Sequence, residues 1–117
     1  MTHSKTVRLR VMQGDTIAFG PGKAALLLAI ERTGSISAAA REMEMSYRRA
    51  WLLVEEMNRC FNRPLVETAT GGAKGGGASI TDLARDVVAC YQRMQKKADS
   101  AVEKDMLYLR SLIVDKD

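Results

Sequence analysis

Residues 35 to 61 constrain this chain most, because they place two helices with almost no chain between them. Ser35 can accept hydrogen bonds from the free N–H groups that open a helix, and ISAAAREM follows, alanine-rich enough for a neighbouring helix to approach closely. A short helix is therefore expected to run to about Met43. Ser46 offers a second cap only a few residues later, followed by YRRAWLLVEEMNRCF. In that segment Tyr47, Ala50, Trp51, Val54, Met57 and Phe61 recur at helical spacing, leaving Arg48, Arg49, Glu55, Glu56 and Arg59 on other faces. A short helix, a tight turn and a longer helix opening with Ser-x-Arg-Arg have the layout of a helix-turn-helix.

The flanks add a scaffold to this pair. KTVRLRVM alternates Val7, Leu9 and Val11 with Thr6, Arg8 and Arg10, which predicts a strand at about residues 5 to 12 with one wet face. Gly14 and Asp15 make a turn. Pro21 suits a first helical position, and AALLLAIER runs without a breaker to Gly34, giving a first helix that ends at a glycine. Pro64 stops the third helix, and LVETAT is β-branched enough for a strand. Beyond Thr81, a further helix cap, Leu83, Val87, Tyr91, Met94, Ala98, Val102, Met106, Leu109 and Ile113 form an apolar stripe at spacings of three and four. As one helix it would span about 45–50 Å at 1.5 Å per residue, more than a small core can cover. Part of it is expected to meet a second subunit.

Five of the nine glycines fall within residues 71 to 77, around Lys74. A P-loop needs G-x-x-x-x-G-K, with its lysine directly after the last glycine, but Lys74 follows Ala73, and Lys23 lacks the upstream glycine. The G-x-G-x-x-G pattern fails in every register. The flanking segments look like two short strands, so the glycines read as a hairpin tip, where backbone N–H groups can approach an anionic surface closely. Helix-turn-helix, strand, glycine tip and strand make a winged helix-turn-helix. The bland alternative is a tip that touches nothing.

Charge and composition fit a nucleic-acid partner and exclude several other classes. Residues 1 to 80 hold 11 Lys+Arg against 7 Asp+Glu, whereas residues 81 to 117 hold 7 of each, so the net +4 sits with the winged segment. Cys60 and Cys90 belong to no ligand-like cluster, and the one histidine, His3, stands near the chain end, so neither a metal site nor histidine-based catalysis has its parts. The sequence offers no catalytic residues, and an enzyme is not expected. No apolar run reaches the roughly 18 residues a membrane helix needs, so the chain reads as cytoplasmic.

GSISAAAREM, SYRRAW, EEMN and LVETATGGAKGGGASIT resemble the N-terminal DNA-binding domain of ModE-type molybdate-responsive bacterial transcriptional regulators, and more loosely the LysR-type domain. The likeness is densest over residues 34 to 81. It implies a mainly α fold with a small β-hairpin wing and a long C-terminal dimerisation helix: a winged DNA-binding domain at 1–81 and a dimerisation helix at 82–117. It further implies a homodimer, paired through residues 82–113, that binds double-stranded DNA and regulates transcription of molybdenum uptake or molybdoenzyme genes. In this family the wing lysine usually follows the paired glycines directly; here Ala73 intervenes. Larger members carry C-terminal molybdate-binding modules; with this sequence ending at Asp117, no cofactor and no molybdate binding are expected within it.

The DNA-contacting candidates are Ser35, Ser37, Ser46, Tyr47, Arg48, Arg49, Thr70 and Lys74. Arg48 and Arg49 open the third helix, where arginine can pair bidentately with guanine. Ser46, Ser35 and Ser37 stand at positive helix ends that favour a phosphate. Tyr47 has a core reading beside the DNA one, because of its spacing to Trp51 and Val54. A winged-helix protein-interaction module, or an effector-binding adaptor that reads no DNA, is the alternative in another functional class.

Overall fold

The computed structural model describes residues 7–69 and 77–114. In chain order the elements are β1 (Val11–Gln13), β2 (Thr16–Phe19), α1 (Pro21–Thr33), α2 (Ile36–Glu42), α3 (Tyr47–Cys60), β3 (Val66–Ala69), β4 (Gly77–Ile80), α4 (Asp82–Ala101) and α5 (Glu103–Leu112). Helices dominate, and the strands form two separate antiparallel hairpins, β1–β2 and β3–β4. This is the mainly α winged helix-turn-helix that the sequence predicts.

The helix ends obey the local signals. Ser35 Oγ accepts from the Ala38 N–H at 3.1 Å, Ser46 Oγ from Arg49 at 3.0 Å and Thr81 Oγ1 from Ala84 at 3.1 Å. Each cap satisfies a donor that the helix itself leaves unpaired. Gly34 closes α1 at φ 73°, where a side chain would be strained, and its N–H returns to Ile30 O at 2.7 Å. In the turn between α2 and α3 the same left-handed backbone falls on a non-glycine residue, Glu44, at φ 56°. That turn is held by Glu44 N–H to Arg41 O at 3.1 Å and Met45 N–H to Ala40 O at 3.0 Å.

One core joins all the helices up to the first half of α4. Leu26, Leu27 and Ile30 of α1 lie at its centre, against Ile36, Ala39 and Ala40 of α2 and Ala50, Val54 and Met57 of α3. Leu65, Val66 and Ile80 bring in the wing, and Ala84, Val88 and Tyr91 bring in α4. Phe19 packs edge-on to both Phe61, at 6.1 Å, and Tyr91, at 5.3 Å, so β2 is pinned between α3 and α4. No described helix is long and apolar enough to cross a membrane.

Two expectations need correction. The strand read at about 5 to 12 is narrower where described: only Val11–Gln13 pairs, with β2, whose segment TIAF had no strand assigned to it. Residues 7 to 10 belong to no strand; they are tied instead to side chains of α4. Tyr91 Oη donates to Leu9 O at 2.8 Å, Val7 N–H to Asp99 Oδ1 at 3.1 Å, and Gln95 bridges Leu9 N–H and Val7 O. Alternation correctly marks Val7 and Leu9 as the inner positions, but it cannot say that a helix supplies the hydrogen bonds. The second correction concerns the last helix. It breaks at Val102, whose backbone leaves helical geometry (φ −103°, ψ 6°), so the stripe is not one helix; within the chain α4 buries Ala84, Val88, Tyr91 and Gln95. Leu83 and Val87 are only half-buried and Met94 is exposed.

Candidate nucleic-acid interface

The first turn of α3 carries exposed charges that stay free of ion pairs among the described residues. Arg48 and Arg49 are exposed, and among the described residues neither guanidinium enters an ion pair. Ser46, also exposed, caps this turn, so three polar or cationic groups share one protruding edge. What holds that edge out is the opposite face of α3: Ala50, Val54 and Met57 are buried in the core and fix the helix's rotation.

Tyr47 lies on the outer surface and not in the core; it is 55% exposed. Its ring meets Trp51 edge-on at 6.2 Å, and Trp51 is half-buried, so the indole anchors the phenol at the surface. The core reading of Tyr47 fails because Tyr47 is the first residue of α3, and this helix meets the core only from Ala50 onward.

Ser35 and Ser37 open α2 beside this edge. Together with Tyr47, Trp51, Thr68, Ala69, Gly77 and Ala78 they line one groove of about 360 Å³ between the helix pair and the wing. Ser37 Oγ accepts from Arg41 at 3.0 Å, which holds a guanidinium beside the opening of α2. Thr70 and Lys74, the wing candidates, lie outside the described residues. The structure thus brings Ser35, Ser37 and Tyr47 into the wing groove, while Ser46, Arg48 and Arg49 are exposed at the start of α3, with Arg49 bordering a separate hollow beside the β1–β2 hairpin.

The wing is tethered at its base by a residue that sequence reasoning passed over. Asn58, on α3, accepts from the N–H groups of Leu65 (2.8 Å) and Val66 (3.2 Å) and donates to Val66 O (3.1 Å). Thr81 Oγ1 donates to Pro64 O at 2.9 Å, and Ala78 N–H donates to Gly34 O at 2.9 Å. The hairpin is therefore locked to α3, to the start of α4 and to the turn between α1 and α2. The polar EEMN context gave only a weak signal for Asn58: an amide following a buried methionine, seven residues before a strand.

Lys23 is the other surprise, a lysine only 4% exposed. Its ammonium donates to Ile17 O and pairs with Glu56, joining β2, α1 and α3, and it satisfies the rule that a buried cation must be paired.

These features match a known group of proteins. The profile described as "Bacterial regulatory helix-turn-helix protein, lysR family" covers residues 23–85, more than half of the chain. The chain belongs to this LysR-type helix-turn-helix family. Within it, the chain is similar to the molybdenum-pterin-binding protein MopB of Rhodobacter capsulatus, 41% identical over 82% of this chain and 37% of that protein. It is 42% identical to the molybdenum transport protein ModE of Azotobacter vinelandii, over 68% of this chain and 29% of the relative. The DNA-binding transcriptional dual regulator ModE of Escherichia coli K12 is 39% identical over 80% of this chain and 37% of its own length. This LysR-type chain therefore spans about a third of the length of the curated relatives it matches. Their names describe regulation, transport and binding, and none of the three names an enzyme.

Proposed function

We propose that this chain is a sequence-specific DNA-binding transcriptional regulator that acts as a homodimer in the cytoplasm, on molybdenum uptake or molybdoenzyme genes. The observation that carries the reading is the free, exposed Arg48–Arg49 pair on the capped first turn of α3. A helix docked end-first in a major groove brings that turn nearest the base edges, where arginine pairs with guanine O6 and N7. Ser35, Ser37 and Ser46 bond phosphates and set the register, and Tyr47 covers the sugar-phosphate edge beside the wing. Thr70 and Lys74 of the wing add backbone contacts that carry no sequence information. The names of the relatives supply the molybdenum connection.

Dimerisation rests on the far end of the chain. α5 buries no residue, and Leu107, Leu109, Leu112 and Ile113 are each more than half exposed. Such a patch on an otherwise charged helix is costly in water unless a partner covers it. We assign the winged DNA-binding unit to residues 1–81 and the pairing surface to residues 82–113 within 82–117. Twofold symmetry then presents two α3 helices to half-sites about 34 Å apart, or a multiple of that. DNA binding by this chain needs no cofactor in this reading.

Genomic-fragment selection with the purified chain, with and without molybdate, followed by fluorescence anisotropy on the preferred fragment, tests the proposal. Arg48→Ala and Arg49→Ala should each cost about 1–3 kcal/mol if they read bases, and relax preference at one position. Wild-type affinity and preference in the double variant would refute it. A monomeric mass in sedimentation equilibrium at micromolar concentration would remove the dimer.

A further inference from the structure

The face of α3 away from the wing borders a second basic hollow. Tyr47 and Trp51 look toward the wing groove, whereas Arg49, Leu53 and Glu56, about half a turn around the helix, look toward the β1–β2 hairpin. Here the N-terminal segment brings Arg8 and Arg10 against the same hollow, about 610 Å³ in volume, with Asp15, Ile17 and Lys23 on its walls. Lys23 and Glu56 neutralise each other across it. What remains is three arginines against one aspartate, and among the described residues none of the three guanidinium groups enters an ion pair.

The backbone carrying two of these arginines is fixed. Val7 and Leu9 bond α4 through Tyr91, Gln95 and Asp99 and are half-buried, whereas Arg8 and Arg10 between and beside them are exposed. The Arg10 stem lies over Gly20, where a Cβ would stand 3.4 Å from its Cγ, and burial of such a stem leaves the charged head to project. Three arginines border one hollow, two on the anchored segment and one on the first turn of α3, and with no ion pair among the described residues they make a site for an anion with several oxygens.

We propose that Arg8 and Arg10, with Arg49, clamp the phosphodiester backbone of DNA flanking the bases under α3, acting as a second arm on the side opposite the β3–β4 wing. The proposal rests on the DNA-binding reading above and extends its footprint. α3 is thereby bracketed: the wing holds one strand and the N-terminal segment the other. Arg49 sits at the junction of base reading and backbone grip. Because phosphate contacts are independent of sequence, the arm strengthens binding to every duplex alike.

The test is the salt dependence of binding by the full chain, measured by anisotropy on the selected duplex and on a random one. Each lost phosphate contact should flatten the plot of log affinity against log salt by about 0.9, so Arg8→Ala with Arg10→Ala should flatten it by about 1.8. Affinity for both duplexes should fall by the same factor, leaving the preference ratio unchanged. Arg8→Lys with Arg10→Lys should recover most of the slope, and Arg59→Ala, at an exposed arginine that does not line the hollow, should leave it unaltered. An unchanged slope in the double alanine variant overturns the arm while leaving the reading head standing. Absence of any salt-dependent DNA binding by the wild-type chain overturns both.

Discussion

Replacing Asn58 with alanine should loosen the wing and destabilise the whole domain. The amide makes three hydrogen bonds, two of them from the N–H groups of Leu65 and Val66, residues that are 0% and 3% exposed. Alanine leaves both donors without their acceptor where water enters poorly, and each unsatisfied buried group costs about 1–3 kcal/mol. The loss should therefore be about 2–6 kcal/mol. For a domain of this size each kcal/mol lowers Tm by roughly 4 °C, which gives a fall of about 8–24 °C in thermal unfolding followed by circular dichroism. Asn58→Asp keeps both acceptor bonds but sets a carboxylate against Val66 O, so its loss should be smaller than that of alanine at neutral pH. A drop below 1 kcal/mol for Asn58→Ala, with wing amides still protected from hydrogen exchange, would show that the clamp is redundant.

Two further perturbations test other parts of the fold. Glu44 holds a left-handed backbone that costs an ordinary residue about 1–2 kcal/mol, whereas glycine gives up about 0.5–1 kcal/mol of chain entropy; Glu44→Gly should thus stabilise the protein by about 0.5–1 kcal/mol in denaturant titration, and a destabilised variant would contradict the strain. Burial raises the Tyr91 phenol above its ordinary 10.0, against an opposing effect of the Arg10 charge, so folding favours the neutral form. Stability contributed by Tyr91 is then complete below pH 10 and lost as the pH rises through the folded value. Tyr91→Phe should cost about 0.5–1.5 kcal/mol at pH 7, through the lost bond to Leu9 O, and that deficit should shrink above pH 10. A deficit independent of pH would refute the assignment.

Local signals carried far in this chain because its helix ends are written in short-range chemistry. Ser35, Ser46 and Thr81 cap the helices predicted for them, and Gly34 terminates α1 in the left-handed backbone. The reading failed where the partner was remote. TIAF is too short to show a period, and it becomes a strand only because β1 folds back on it and Phe19 finds Phe61 and Tyr91. The stripe after Thr81 follows helical spacing through Val102, yet the backbone breaks there; periodicity reports which side chains can align, not where a helix ends. At the candidate interface, Arg48 and Arg49 were legible because helix phase and the cap fix their position. Tyr47 was ambiguous, since its spacing fits the core while its place at the helix end sets it at the surface. Asn58 and the Arg8–Arg10–Arg49 hollow depend on contacts between elements, which spacing along one element cannot show.

The most direct test of the account is an amide-shift titration by NMR, adding the selected duplex to the labelled protein. The account predicts that shifts concentrate at Ser35–Ser37, Ser46–Arg49 and the described wing residues 68–69 and 77–78, with a second set at residues 8–10, while α5 stays unmoved by DNA. Shifts confined to α5, with the first turn of α3 silent, would contradict it.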